Sequence, residues 1–386
     1  MKMNVKELAK EQESYVIQCR HYLHSHPELS TKEVNTTRFI KEELEKMGVE
    51  VQEFEGITGC VGTIKGDKPG KTVMLRADID ALPITENPGK SYCSLNPGVM
   101  HACGHDNHMT GLLGAAMLLC ERREEIAGTV KLIFQPAEEM SPVGGSRGML
   151  HSGYMDDVEA VFGLHVWPDL PHGKIGVKAG PLMAATDHFT INIHGKTAHG
   201  AKPNQGIDAV VLGSQFVMAA QTIVSRKVDP LDNAVVTFGI FNAGTRYNII
   251  AGDCTLDGTV RTLNEDTRAM IEDSMRKTLD GLCLQSGATA DINYGHGYPA
   301  LVNHEEDAEL IRNTAIKLFG KDDVVDVKLP AMPAEDFSFY QRCIPGVFFF
   351  LGVGPAHELH SPHFCWNDEA VIPAGIAFMK KIMVLP

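Results

Sequence analysis

Within GVMHACGHDNHM, residues 98–109, four side chains that bind metals or carry protons fall close together: His101, Cys103, His105 and His108. Imidazole and thiolate suit zinc and similar borderline-soft divalent ions. Cys103 and His105 are two positions apart. That spacing converges in an extended or turning chain and not on one helical face, and Gly104 between them eases a bend. The same residues would also serve as the polar groups of an ordinary loop, with His101 and His108 either supporting or facing solvent. A coordination shell needs donors from elsewhere in the chain.

Several segments offer them. Glu138 and Glu139 in FQPAEEMSP directly follow an apolar run, and neighbours in an extended chain point opposite ways, so that one can bind a metal while the other holds a water. A charged loop is the plainer reading. His165 in GLHVWP lies in a hydrophobic stretch, as a ligand or as a hydrogen-bonded core residue, and HELHSPHF adds His357, His360 and His363 as ligands or surface loop. GGSRG, residues 144–148, matches the G-x-S-x-G nucleophile elbow, but that motif needs a strand running into the serine. Here Pro142 intervenes, and the segment reads as a glycine-rich loop.

The elements that must position these groups alternate between strand and helix. Residues 30–48 read as a helix with a capping box at Ser30 and Glu33 and a stop at Gly48. Strands are expected near 49–55, 72–80, 128–136 and 160–168, with a helix at 107–123. Near-continuous apolar runs such as VKLIF predict an α/β sheet covered on both faces, whose ligands collect at the carboxyl ends of its strands. Asp78 and Asp80, Glu138 and Glu139, and His165 all fall at or near such ends. From about residue 184 the pattern becomes strand, helix, strand, strand, helix, strand, the order of a ferredoxin-like α+β sandwich. The expected division is 1–183 with 297–386, and an inserted domain over 184–296. A helix at 304–319, the apolar GVFFFLGVGP and a helix at 369–384 close the chain.

Bulk properties exclude several classes. At 386 residues the chain exceeds the size of one typical core. A formal net charge of −14 argues against nucleic acid or an anionic membrane as partner. No apolar run approaches the roughly 20 residues of a membrane helix. The charged start, MKMNVKELAKEQ, lacks a secretory h-region, and nine scattered cysteines without a C-x-x-C pair suit a reducing compartment, so the expected location is the cytoplasm.

Taken together, HSHPELS, RADIDALP, MHACGHDNHM, FQPAEE, GLHVWP, GKTAHGAKPNQGIDA, NIIAG with GTVR, PAEDFS and LHSPHF resemble the M20 family of metallopeptidases and amidohydrolases, in its aminoacylase-like branch. The motifs run in order along almost the whole chain. The resemblance implies a mixed-sheet, metallo-exopeptidase-like catalytic domain of α/β class with the inserted segment as lid, and a homodimer formed through that lid. It implies two divalent ions per subunit, zinc, manganese, cobalt or nickel, on Cys103, His105, Glu139, His165 and His360, with Glu138 as general base. His199, in H-G-A-x-P, matches a lid histidine that stabilises the transition state across the dimer. Other branches carry H-x-D where this chain has Asp78-Ile79-Asp80. Here Cys-x-His takes over, leaving Asp78 and Asp80 as supports, with Asp80 holding a ligand imidazole or the metal cluster.

The expected reaction is hydrolysis of the amide of a small N-acyl amino acid, whose free carboxylate is gripped by Asn248 and Arg261, with Arg246 a further option. The alternative for Arg261 is an ion pair within the inserted domain. Dipeptide cleavage by the same centre, and a metal-binding protein without catalysis, are the rival readings.

Overall fold

A computed structural model of the protein describes residues 4–87, 89–355 and 357–382. The chain forms two compact units. One holds the described residues up to Leu182, Val302–Leu329 and those from Asp336 onward, and the other holds Met183–Leu301 and Pro330–Glu335. The second unit thus runs past residue 296 and takes in a short return segment, held where Ala184 N–H donates to the Pro333 carbonyl at 3.1 Å. No periodicity in the sequence announces that segment.

The first unit is built on a mixed eight-stranded sheet in the order Glu50–Phe54, Ile57–Lys65, Ala127–Gln135, Lys68–Asp78, Ala160–Trp167, Gly346–Gly352, Ile175–Val177 and Val324–Asp326. The four consecutive strands from Ala127–Gln135 to Gly346–Gly352 are mutually parallel. Their carboxyl ends therefore share one edge, and Asp78, Gln135, Trp167 and Gly352 end there. Every residue of GVFFFLG in the last of these strands is buried, as a strand covered on both faces requires. The helices Val5–Ser25, His105–Glu121 and Asp368–Ile382 pack against one another. Phe349 and Phe378 meet edge to face in the same core.

One strand goes unread in the sequence and one expectation fails. Ile57–Lys65 is a strand paired antiparallel with Glu50–Phe54 and with Ala127–Gln135; the glycines of ITGCVGTIK dilute its apolar signal. The capping box at Ser30 and Glu33 is absent: the helix spans Val34–Lys46 and Glu33 makes no side-chain cap bond. Both side chains are engaged elsewhere. Ser30 Oγ donates to Asp80 Oδ2 at 2.6 Å, and Glu33 reaches Thr58 and Ala137.

The second unit is a four-stranded antiparallel sheet in the order Ala234–Ala243, Asp253–Thr262, Ala185–His194, Thr289–His296. With the helices Ala209–Arg226 and Glu265–Ser286 this is the ferredoxin-like arrangement. Alternation decides which face is covered. Phe189, Ile191 and Ile193 join Phe216, Ile223, Ile271 and Met275 in the core, while His188 and His194 lie exposed. Asp208 and Asn264 cap the two helices, each side chain accepting from two backbone N–H groups. Among the described residues no helix is long and apolar enough to cross a membrane.

Candidate metal centre

Cys103 and His105 are brought together by a turn that becomes a helix. Gly104 has φ +84°, a left-handed conformation, and His105 is the first residue of His105–Glu121. A Cβ at Gly104 would also lie 2.4 Å from Val166 Cγ2, so glycine is required there twice over. Val166 belongs to the strand that carries His165, whose Nε2 stands 3.3 Å from Cys103 Sγ.

The possible ligand atoms of Cys103, His105 and His165 all lie within 4.8 Å of one another, and so do those of Cys103, Glu139 and His360. Cys103 belongs to both sets. His360 enters from the C-terminal loop with φ +63°, its N–H bonded to the Ala102 carbonyl at 2.8 Å, and its Nε2 lies 3.2 Å from Glu139 Oε1. Glu138 and Glu139 share a third such set with His105. The extended geometry expected for this pair is not what forms: Ala137 at φ +54° reverses the chain just past Gln135, and both glutamates sit in the resulting turn. A turn places both carboxylates beside His105, where an extended chain would have separated them.

Two of the imidazole donors, His105 and His165, are held from behind. His105 Nδ1 lies 2.9 Å from the Asp80 carbonyl and 3.2 Å from Asp80 Oδ1, which makes Nδ1 the donor and leaves Nε2 as the possible ligand atom. His165 Nδ1 lies 2.6 Å from the Val166 carbonyl and leaves its Nε2 in the same state. His108 has neither nitrogen to offer. Its Nε2 accepts from Val166 N–H at 2.9 Å and its Nδ1 meets Asp78 Oδ1 at 2.5 Å. Asp78 in turn faces Arg76, which donates to Asp78 at 2.7 Å, to Gln135 at 3.0 Å and to Asp336 at 2.8 Å, all fully buried. The aspartates of RADID thus stand behind the histidines.

The electrostatics follow from this packing. Burial opposes charge on His105, but Asp78, Asp80 and Glu139 outweigh it and push its pKa up to about 10. Burial likewise opposes charge on Asp78, which Arg76, His105 and His108 nonetheless hold well below the usual carboxylate range. Burial, with Glu139 and Glu138 nearby, pushes the Cys103 thiol well up. The field of the pocket favours positive charge, and two of its buried atoms, His105 Nε2 and Glu139 Oε1, make no hydrogen bond among the described residues, Glu139 Oε1 having only the ion-pair approach of the His360 ring. Sulfur, imidazole and carboxylate donors with orphaned lone pairs fit divalent cations.

The remaining candidates fall elsewhere. His101 is buried with both ring nitrogens unpartnered, and burial lowers its pKa to about 4. His357 and His363 face each other in the exposed C-terminal loop. Ser146 of GGSRG is buried; it begins the six-residue helix Ser146–His151 that the loop reading lacked, but no strand leads into it. His199, Asn248 and Arg261 all belong to the second unit. Exposed His199 lies on a short strand pair opposite Ile249, and Gly200 N–H donates to the Asn248 carbonyl at 2.8 Å, which brings His199 and Asn248 side by side. Asn248 Oδ1 is buried and unpartnered. Arg261 bonds within its own strand, to Thr259 Oγ1 and the Val260 carbonyl, so no acid pairs with its guanidinium among the hydrogen bonds of the second unit. Arg246 is exposed and lies against the Tyr247 ring.

Sequence reading missed Arg76, Gln135, Asp336, Ser30 and Glu33. Arg76 and Asp336 lie inside RADIDALP and PAEDFS, the one signal that was available for them.

A model of peptidase family M20/M25/M40 matches residues 74–384. The chain is 40% identical over 378 residues to thermostable carboxypeptidase 1 of Saccharolobus solfataricus, covering 96% of this chain and 95% of that one. It is 41% identical over 363 residues to N-acetyl-L-cysteine deacetylase of Bacillus subtilis, covering 94% and 86%. Among solved structures it resembles a dinuclear metal binding peptidase of Bacillus subtilis, with a TM-score of 0.87, 36% identity and coverage of 97% and 98%.

Proposed function

We infer the activity from one premise: the chain belongs to peptidase family M20/M25/M40. It is a metal-dependent amidohydrolase that cleaves the amide of N-acyl amino acids to a carboxylic acid and a free amino acid. The observation that carries this reading is the convergence of Cys103, His105, His165, Glu139 and His360, with Glu138 beside them. Those five side chains would hold two divalent ions, Cys103 serving both sets. The thiolate favours zinc, cobalt or nickel, and manganese remains open to the carboxylate and imidazole donors. Ions of this kind acidify water and polarise carbonyl oxygens.

Glu138 takes the proton of the attacking water and returns it to the leaving amine nitrogen, so one carboxylate acts first as base and then as acid. His199 donates to the developing oxyanion, an interaction typically worth about 3 to 4 kcal/mol. Asn248 and Arg261 bind the free α-carboxylate of the substrate; among the described residues no acid is hydrogen-bonded to Arg261, whose guanidinium bonds Thr259 and the Val260 carbonyl, which supports its part in that assignment. Asp78 and Asp80 orient the ligand imidazoles and touch no substrate.

The names of the relatives support a single substrate class. A carboxypeptidase and an N-acetyl amino acid deacetylase both cleave an amide whose nitrogen belongs to a residue with a free carboxylate, so recognition lies on the amine side. The second unit is a lid and the contact surface of a homodimer. Its edge strand Ala234–Ala243 exposes Val235, Ile240 and Phe241, and the adjoining helix exposes Val210, Val211 and Met218. Such an apolar edge with its unpaired backbone groups calls for a cover.

A panel of N-acetyl, N-benzoyl and longer N-acyl amino acids, assayed beside dipeptides with and without chelator, tests the reading. Turnover of the N-acyl series, abolished by chelator and absent from their amidated counterparts, is the expected result. Preference for dipeptides with a free amino terminus would replace it with the dipeptidase reading.

A further inference from the structure

The turn that carries Glu138 is gripped from outside by two buried carboxylates. Asp80 Oδ2 accepts from the Glu139 N–H at 3.0 Å, and Glu33 Oε1 accepts from the Ala137 N–H at 2.9 Å. The two tied residues flank Glu138 on either side. Glu33 has no exposed surface. Its other oxygen accepts from Thr58 Oγ1 at 2.6 Å, while its carbonyl accepts from Thr37, whose Oγ1 in turn takes the Gly59 N–H at 2.7 Å. Glu33 is thereby fixed to the start of one helix and to the strand Ile57–Lys65 before it meets the turn. Ala137 stands at φ +54°, a conformation that costs an alanine of order 1 kcal/mol and persists only where the surroundings impose it.

We propose that Glu33 is a positioning residue for Glu138: its carboxylate holds Ala137 in the left-handed conformation that aims the Glu138 side chain at the water it deprotonates. The inference rests on the reading of Glu138 as general base. Glu33 contributes neither a metal ligand nor a proton. It works through the backbone, and its loss frees the turn without removing any donor. An error of about 1 Å in the placement of a catalytic group costs on the order of 100-fold.

The experiment is a double-mutant cycle read in kcat, KM and bound metal, on whichever N-acyl amino acid is turned over. Glu33→Ala lowers kcat about 30- to 100-fold, leaves KM within twofold and metal content unchanged, and displaces the acid limb of the kcat–pH profile that reports the base. Glu33→Gln keeps an acceptor for Ala137 and recovers most of kcat; it also serves if the alanine variant does not fold. In a Glu138→Gln background, Glu33→Ala has no further effect on the residual rate, because both changes disable one device. A kcat for Glu33→Ala within twofold of the wild type overturns the inference, as does activity lost in proportion to bound metal. So does an effect that multiplies with that of Glu138→Gln. Undiminished turnover by Glu138→Gln alone defeats the general-base reading itself, and this inference with it.

Discussion

The candidate metal donors of the first unit and the groups proposed to meet substrate in the second are organised in opposite ways. Around Cys103 and His105 the groups that support the ligand candidates are buried and fixed: His105 by Asp80, His108 by Asp78 and Val166, and Asp78 by an arginine that also holds Gln135 and Asp336. His199 is exposed and borrows one local contact, from Ala201 N–H at 3.0 Å. The buried region is preorganised and its cost is met during folding; the exposed His199 is cheap to fold, and on the proposed function its partners come with substrate or a second subunit. Damage to the fixed supports of the first should therefore reach stability or metal content as well as rate, whereas loss of a group that only moves a proton, or of a group in the second, should reach rate or affinity alone.

Four variants break or sharpen that contrast. Glu138→Ala is expected to lower kcat by about 10³- to 10⁴-fold with metal content intact, because it removes the proton acceptor and no ligand. Steady-state kinetics beside elemental analysis checks it, and full metal loss would move Glu138 into the ligand set. His199→Ala is expected to lower kcat by about 10²- to 10³-fold without changing the melting temperature. A fall of several degrees would erase the distinction between the two regions.

The third variant probes the buried side. Both nitrogens of His24 face carboxylates, Asp106 at 2.9 Å and Glu86 at 3.1 Å. Burial opposes its charge, but Asp106 and Glu86 prevail and raise its pKa above the ordinary value of about 6.5. A raised folded-state pKa stabilises fully below the unfolded value and ceases to do so as pH climbs through the folded one. His24→Gln should therefore cost about 2 to 3 kcal/mol at pH 6 and less at pH 9, read as unfolding midpoints in denaturant at the two pH values. An equal cost at both would mean that His24 is buried neutral. Smallest is Arg261→Ala, for which a roughly tenfold rise in KM for carboxylate-bearing substrates is expected with kcat and stability unchanged. An unaltered KM removes Arg261 from substrate binding.

What the sequence made legible follows the same division. In the second unit the four long strands and two helices were readable because the strands alternate and the helices carry Asp208 and Asn264 as caps, all local signals, whereas the return segment Pro330–Glu335 was not. In the first unit the parallel strands, the ligand types and the nearest supports, Asp78 and Asp80, stood out, yet the groups behind those supports did not. Ser30 and Glu33 form the S-x-x-E pattern of a cap, and only contacts 50 and 104 residues away show that their side chains serve Asp80 and Ala137 instead. Arg76 lies 260 residues from Asp336. No periodicity encodes such a pair. The turn at Glu138 and Glu139 was misread for the same reason, since the left-handed Ala137 is imposed from outside.

The grip of Glu33 and Asp80 on that turn bears on how small the catalytic machinery can be made. A fragment beginning at residue 74, where the family match starts, would retain all five ligand candidates and Glu138. It would also strip Ser30 from Asp80, Glu33 from Ala137 and the strand Ile57–Lys65 from the flank of Ala127–Gln135. Such a fragment carries the complete list of reactive groups without the geometry that makes them act together, so efforts to minimise or graft this centre must carry the N-terminal 65 residues along with it.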